Sequence, residues 1–291
     1  MPSETKPAAF DRKVTQITNA AEGVKSTKAV RKDTAFGRFY RIEDQDLPSV
    51  THILGVIGKP ALVNWAANQE RTLVTEVAAE LYLDLCKIAQ PMPKAAYITT
   101  LQGRIGKTKA HQRELAKAGD IGTQVHALVE WNMRKALGQI VGPEPRVVDD
   151  AQWAFMAWQD WAGAVGLKPL FIEQTVFSRT HGYAGTMDLL AEVNGIVTLV
   201  DFKTGKAIYP EAFLQNAAYQ VALSEMGHAQ PAAGLIVRLP KVQTDPQFET
   251  QAVPPIAELF DVFLAVKQLW RWSYANEEAY RARVAAAKAE E

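Results

Sequence analysis

The sequence predicts an α/β fold: a central mixed β-sheet flanked by helices, with additional helices at both the N-terminal and C-terminal ends. Three observations predict it. Apolar residues recur at helical spacing in segments between Leu47 and Val165 and then, from Leu170, at every second position. Four runs with that two-residue period follow, "LFIEQTVFS", "GTMDLLAEV", "IVTLVDFK" and "AGLIVRL", and "QFETQAV" is a candidate fifth. One helical segment, opened by Pro210, separates the third run from the fourth, so helix and strand alternate as in an α/β core.

The rest of the composition narrows the class. The chain has 291 residues, 48% hydrophobic and 22% charged, ample material for one large core or two small ones. No run reaches the roughly 18 apolar residues of a membrane span, and the start, "MPSETKPAAFDRK", lacks the apolar segment of a secretory signal. A single cysteine, Cys86, excludes an intrachain disulfide framework and any cluster needing several thiolates. A reducing cytoplasm is the expected setting. Net charge is zero, so no global field draws the chain to nucleic acid. Between Lys94 and Gly119, however, Lys94, Arg104, Lys107, Lys109, Arg113 and Lys117 face only Glu114. This is either a solvated helix face or a patch that tracks phosphates, and the stretch alone does not decide.

Element by element, residues 1 to about 45 are polar and weakly periodic, and are expected to pack loosely at the start. Leu47 to Gln69 reads as a short helix, a break at Lys59–Pro60 and a second helix. Glu70 to Gln90 places Val74, Val77, Ala78, Leu81 and Leu85 at helical spacing, and "QPMPK" marks a loop before the basic stretch. Asp120 is suited to cap a helix ending near Gly138, with Ile121, Val125, Leu128 and Val129 toward the core. The helix from Asp149 to Val165 carries Trp153, Trp158 and Trp161, read here as core and not as a base-stacking platform. A helix from Pro210 to about Met226 and a helical C-terminal segment from Pro255 complete the chain. The expected organisation is a helical N-terminal region over 1–118 with the basic stretch at 94–117, a core over 119–253, and C-terminal helices over 254–291 packed on it.

Chemistry enters at one hairpin. In "VNGIV", Asn194-Gly195 suits a two-residue type I′ turn pairing Val193 with Ile196. That register, carried outward, sets Asp188 directly opposite Asp201, with Lys203 on the same face. Carboxylates with Cβ atoms about 5 Å apart repel by roughly 3 kcal/mol at an effective dielectric of about 20. Lys203 as counter-charge would give an inert Asp-Asp-Lys cluster. A divalent cation is the other answer, and a one-residue bulge would undo the register. Gly185, Thr186 and Gly205 put the acids at the open end of the hairpin, within reach of a ligand. On the preceding helix His126 and Glu130 stand one turn apart, as do Gln215 and Tyr219 on the Pro210 helix.

In order, Gly122 to His126 shows G-x-x-x-H, Gly185 to Asp188 G-T-x-D, Asp201 to Lys203 D-x-K, and Gln215 to Tyr219 Q-x-x-x-Y. This series resembles the PD-(D/E)XK nuclease superfamily, in the branch holding the RecB C-terminal nuclease, lambda-type exonucleases and the mitochondrial genome-maintenance exonuclease. "PSVTHIL", Pro48 to Leu54, is similar to a segment upstream in several members. The resemblance spans about 120 residues, from Asp120 to Leu239. The proline of the superfamily name is replaced by Met187.

The resemblance implies a restriction-endonuclease-like core and Mg²⁺ or Mn²⁺ held by His126, Asp188, Asp201 and the Phe202 carbonyl. No iron–sulfur cluster is expected, the extra cysteines being absent. Lys203 would orient or deprotonate the attacking water and help neutralise the phosphate, while Gln215 and Tyr219 would position the ligands or the strand. Glu173 is either a supporting or second-metal carboxylate or a solvent-facing strand residue, and Arg179 a phosphate contact. The implied activity is metal-dependent DNA hydrolysis, as an exonuclease of recombination, repair or phage DNA processing, with a recombination protein as possible partner. A structure-specific endonuclease and a non-catalytic DNA-binding module retaining the fold are the alternatives. Strand preference, polarity and RNA as substrate stay open.

Overall fold

The computed structural model describes residues 14–17, 27–34, 36–87, 90–228, 230–241 and 248–289. They fall into two compact units, Met1–Ile57 with Val125–Glu291, and Gly58–Gln124.

The first unit holds the central sheet. Strands β5 (Lys168–Ser178), β6 (Tyr183–Val193), β7 (Ile196–Lys203), β8 (Ala233–Arg238) and β9 (Glu249–Ala252) lie side by side in chain order. All neighbours are antiparallel except β7 and β8, which run parallel because helix α6 (Glu211–Glu225) carries the chain across between them. This is the mixed sheet expected, including the fifth strand. Asn194 and Gly195 have φ of 51° and 80°, as a type I′ turn requires, and Val193 pairs with Ile196. The β6–β7 ladder keeps that register as far as Leu189–Val200, one residue short of the two acids.

Helix α5 (Asp149–Ala164) begins with Asp149 and Asp150 at its positive end and buries Phe155, Trp158 and Trp161. Trp153 is a correction to the core reading: it is 39% exposed. The principal core joins Met187, Leu190 and Leu199 of the sheet to Leu214, Ala218 and Leu223 of α6. Phe263 of the C-terminal helix α7 (Ile256–Ala289) and Val50 and Ile53 of the short helix α1 (Val50–Leu54) complete it.

Two departures concern the N-terminal half. Residues read as polar and weakly periodic, with Leu47 and Pro48 from the expected short helix, form a four-stranded antiparallel sheet: β1 (Val14–Ile17), β2 (Thr27–Thr34), β3 (Gly37–Ile42) and β4 (Gln45–Pro48). Cross-strand ion pairs, Asp33 with Arg38 and Arg41 with Asp46, occupy its outer positions, while Tyr40, Ile42 and Leu47 pack with Phe177 and Ala184 of the central sheet. Among the described residues, the expected helical region over 1–118 is therefore β-structured before α1, while the loose packing expected at the start falls on residues 1–13, outside the described residues. Furthermore, Asp120 caps nothing. Helix α4 runs unbroken over Ala110–Ala136, and Asp120 Oδ2 accepts from Gln124 Nε2 one turn on. The strong helix formers of "AHQRELAKA" outweigh the roughly 1 kcal/mol that Gly119 costs inside a helix.

In the second unit, α2 (Pro60–Leu85) continues through both segments that the sequence had divided at Gln69. It is followed by α3 (Lys94–Ile105) and the first half of α4.

Candidate active site

The β6–β7 hairpin forks where its acids stand. Past Leu189–Val200 the backbone N–H of Phe202 donates to Asp188 Oδ2 at 2.7 Å, so a side chain takes the bond that would otherwise belong to the ladder. The edge of β6 left open by β7 is met instead by Ser49, which bridges Ala184.

The same step inverts the faces of both strands. Met187 and Leu190 enter one core cluster although three residues apart, and Val176 and Phe171 of β5 do so five residues apart. Strict alternation allows only even spacings. Glu173, flanked by the pairs Ile172–Leu189 and Gln174–Met187, sits opposite Asp188 in register and has φ of 50°, a left-handed conformation unusual for a residue with Cβ. The inversion turns Glu173 and Asp188 together toward α4. There His126 Nδ1 lies 3.8 Å from Asp188 Oδ1 and 3.9 Å from Glu173 Oε1. Among the described residues, these three donors form a group whose ligand atoms all lie within 4.8 Å of one another. Two carboxylate oxygens and an imidazole suit a divalent cation of the Mg²⁺ or Mn²⁺ kind.

Asp201 belongs to a second, adjoining network. Lys203 Nζ lies 2.6 Å from its Oδ2, and Gln215 Nε2 donates to its Oδ1 at 2.9 Å. Lys203 also donates to Gln215 Oε1 at 3.1 Å, and Gln215 Nε2 stands 3.5 Å from the Tyr219 hydroxyl. The facing-acid expectation is thus modified: Asp188 looks to His126 and Glu173, Asp201 to Lys203 and Gln215.

Electrostatics couple the two groups. Burial pulls the His126 imidazole down, but the charges of Asp188 and Glu173 outweigh it and raise its pKa to about 9. Burial raises Asp188, helped by Glu173 and opposed by His126 and Lys203. Burial likewise raises Asp201, to about 6, with Lys203 opposing and Asp188 adding to the rise. Lys203 goes up because Asp201 and Asp188 overcome its own desolvation. Three carboxylates, Glu173, Asp188 and Asp201, thus stand against one lysine and one imidazole, a surplus of negative charge that could hold a divalent cation.

Gly185 and Tyr219, read as two separate motifs, are one contact. A Cβ at Gly185 would lie 2.4 Å from Tyr219 Cε1 and 2.7 Å from its hydroxyl, so only glycine lets the ring lie on β6. The structure adds Tyr40, whose hydroxyl is 2.9 Å from Thr186 Oγ1. No sequence signal singled it out, because it arrives from β3, some 146 positions away. Glu130, one turn below His126, is engaged by Arg134 at 2.9 Å.

Several expected phosphate contacts are already occupied. Arg179 makes a two-pronged pair with Glu43 at 2.9 and 3.0 Å. In the second unit Arg104 pairs with Asp84 at 2.8 Å, and Arg113 donates to the carbonyls of Ile105 and Thr108. Lys107, Lys109 and Lys117 are exposed.

A mixed sheet with a forked central hairpin bearing Asp188, Asp201 and Lys203, and Glu173 on the neighbouring strand, defines a restriction-endonuclease-like nuclease fold. Residues 135–287, just over half the chain, match the family model of the PD-(D/E)XK nuclease superfamily, and the chain belongs to that superfamily. The match takes in Glu173, Asp188, Asp201, Lys203, Gln215 and Tyr219, whereas His126, Tyr40 and the basic residues of 94–117 precede it. Among solved structures, an alkaline exonuclease from Laribacter hongkongensis aligns at 14% identity and a TM-score of 0.34, over 62% of this chain and 88% of that one. The protein SSO0001 aligns at 10% identity and a TM-score of 0.28, over 69% and 84%. No curated protein sequence matches. No helix among the described residues is long and apolar enough to cross a membrane.

Proposed function

We propose that the chain is a metal-dependent deoxyribonuclease that hydrolyses phosphodiester bonds from a DNA end. The convergence of His126, Glu173 and Asp188 beside the Asp201–Lys203–Gln215 network carries this reading. An inert salt-bridge cluster would need neither the third carboxylate nor the roughly 1–3 kcal/mol of backbone strain at Glu173.

His126, Glu173 and Asp188 would hold Mg²⁺ or Mn²⁺, with Asp201 and the Phe202 carbonyl as further donors, and the imidazole favours tolerance of Mn²⁺. A bound ion supplies polarisation of the phosphodiester and a water of lowered pKa. Asp188 is aimed by the Phe202 N–H, which leaves its Oδ1 turned to the ligand group. Lys203 is kept protonated by Asp201 and Asp188, which favours neutralising the phosphate and orienting water over taking up a proton. Gln215 holds Lys203 and Asp201 at fixed separation, and Tyr219 backs Gln215. With Arg179, Arg104 and Arg113 engaged, contact with the DNA backbone falls to Lys107, Lys109 and Lys117. By the resemblance, the setting is recombination, repair or phage DNA processing in a cytoplasm, with a recombination protein as partner.

The test is degradation of end-labelled linear DNA and of a closed circle of the same sequence, with Mg²⁺ or Mn²⁺, for wild type, Asp188→Ala and Lys203→Ala. The expected result is loss of the linear DNA by wild type alone. Equal slow loss by all three proteins would refute the site, and cutting of the circle would make the enzyme an endonuclease.

A further inference from the structure

We infer that Tyr40, on the N-terminal sheet, is a positioning residue for the carboxylate of Asp188, acting through its hydrogen bond to Thr186; this rests on the proposed metal-dependent reading.

Past Leu189, toward its beginning, β6 has no ladder partner on the β7 side. Its other edge stays paired with β5 from Tyr183 to Met187, and the β7 side is met by three single contacts from three different parts of the chain. Ser49 bridges Ala184, the ring of Tyr219 lies against Gly185, and the hydroxyl of Tyr40 meets Thr186 Oγ1 at 2.9 Å. Asp188 follows two residues later, at the step where the strand changes face. A rotation of the Ala184–Thr186 segment about the strand axis would swing Asp188 off both His126 Nδ1 and the Phe202 N–H. Tyr40 is 3% exposed and packed among Ala29, Ile42 and Leu47, so its ring is fixed before the hydrogen bond forms. A preorganised donor or acceptor of this kind transmits orientation at little entropic cost. Neither Tyr40 nor its sheet lies within the family match, so residues ahead of residue 135 complete the site.

The test uses the full chain with Tyr40→Phe, Thr186→Val and both together, each nearly isosteric with the original. In the metal-free protein, the Phe202 amide is followed by NMR and its exchange with solvent measured. Mn²⁺ binding is measured by calorimetry, and melting by circular dichroism. The expectation is a displaced Phe202 resonance, exchange faster by roughly two- to tenfold, and Mn²⁺ affinity weaker by a similar factor, the worth of one ordinary hydrogen bond. The double variant should be no worse than either single one, since all three lose the same bond. Lower melting with the Phe202 amide and Mn²⁺ affinity unchanged would overturn the inference and leave Tyr40 a packing residue. Failure of wild type to bind Mn²⁺ would overturn the metal-dependent reading instead, while the Phe202 amide still decides whether Tyr40 sets Asp188.

Discussion

Replacing Gly185 by alanine puts the joint between the β6 and α6 motifs under direct load. The added methyl would lie 2.4, 2.7 and 2.9 Å from three atoms of Tyr219, all closer than van der Waals contact permits. Tyr219 is 3% exposed in the middle of a buried helix, so the strain cannot be shed into solvent. Overpacking of this kind costs about 1–3 kcal/mol. Alanine returns about 0.4–1 kcal/mol by restricting the unfolded chain, since Gly185 does not occupy the left-handed region. A net loss of about 1–2 kcal/mol follows, or a Tm lower by roughly 2–8 °C for a domain of this size. Thermal melts of wild type, Gly185→Ala, Tyr219→Leu and the double variant form the assay. The double variant should be more stable than the sum of the single effects predicts, because the shorter side chain vacates the space of the methyl. If Gly185→Ala melts within about 1 °C of wild type, or the two effects simply add, the close approach is not what glycine serves.

Other outcomes follow from the site. Lys203→Met should lower kcat at least about a hundredfold, as expected for a lost charge at a developing phosphate charge, in steady-state DNA cleavage with KM little changed. Glu173→Gly should raise stability to urea by about 1 kcal/mol, as the strained φ is relieved, while weakening Mn²⁺ binding at least about tenfold by calorimetry. Cation binding should tighten with pH. His126 titrates at about 9 and must lose its proton to ligate, so Mn²⁺ affinity should rise about tenfold per pH unit from pH 7 to about 9 and then level off. For metal-free stability the sign reverses: the raised His126 pKa stabilises the fold fully below about 6.5, a contribution lost as pH climbs through about 9. Arg238, fully buried and donating to the Gly205 carbonyl at 3.1 Å, should cost about 3 kcal/mol when changed to alanine, measured by urea unfolding.

What could be read from the sequence is what local rules determine. The strands after Leu170 alternate cleanly enough to be placed within a few residues, and Asn194-Gly195 set the hairpin register before any coordinates. Pro210 marks the helix of Gln215 and Tyr219, and the apolar stripe around His126 puts that residue on a helix but not the helix's start at Ala110. The N-terminal sheet escaped because its described strands bury only one or two apolar residues each, Ala29, Tyr40 with Ile42, and Leu47, too few to show a period of two, while charged partners such as Arg41 and Asp46 fill much of the rest. The register set by the Asn194-Gly195 turn also misled in one respect. It extended a flat ladder through Asp188 and Asp201, where the chain forks and the carboxylates take separate partners. Glu173 was undecidable for the same reason. Whether a strand residue faces solvent or a site depends on alternation, and alternation fails at that residue. Arg179 looked available because its partner, Glu43, is 136 positions away.

The phase change at Glu173 and Asp188 constrains how this chain could diverge. On either side of that step the strands point their side chains by opposite parity, so the two halves behave as gears cut to different teeth. Removing one residue between Tyr183 and Met187 would exchange the sets that now pack on the two buried faces there, Tyr183 with Met187 against Ala184, and leave Leu189 to Val193 untouched; the same loss beyond Asp188 would do the converse. Length variation among descendants should therefore collect in the turn at 179–182 and at the bulge between Pro169 and Phe171, and vanish from the stretches between them.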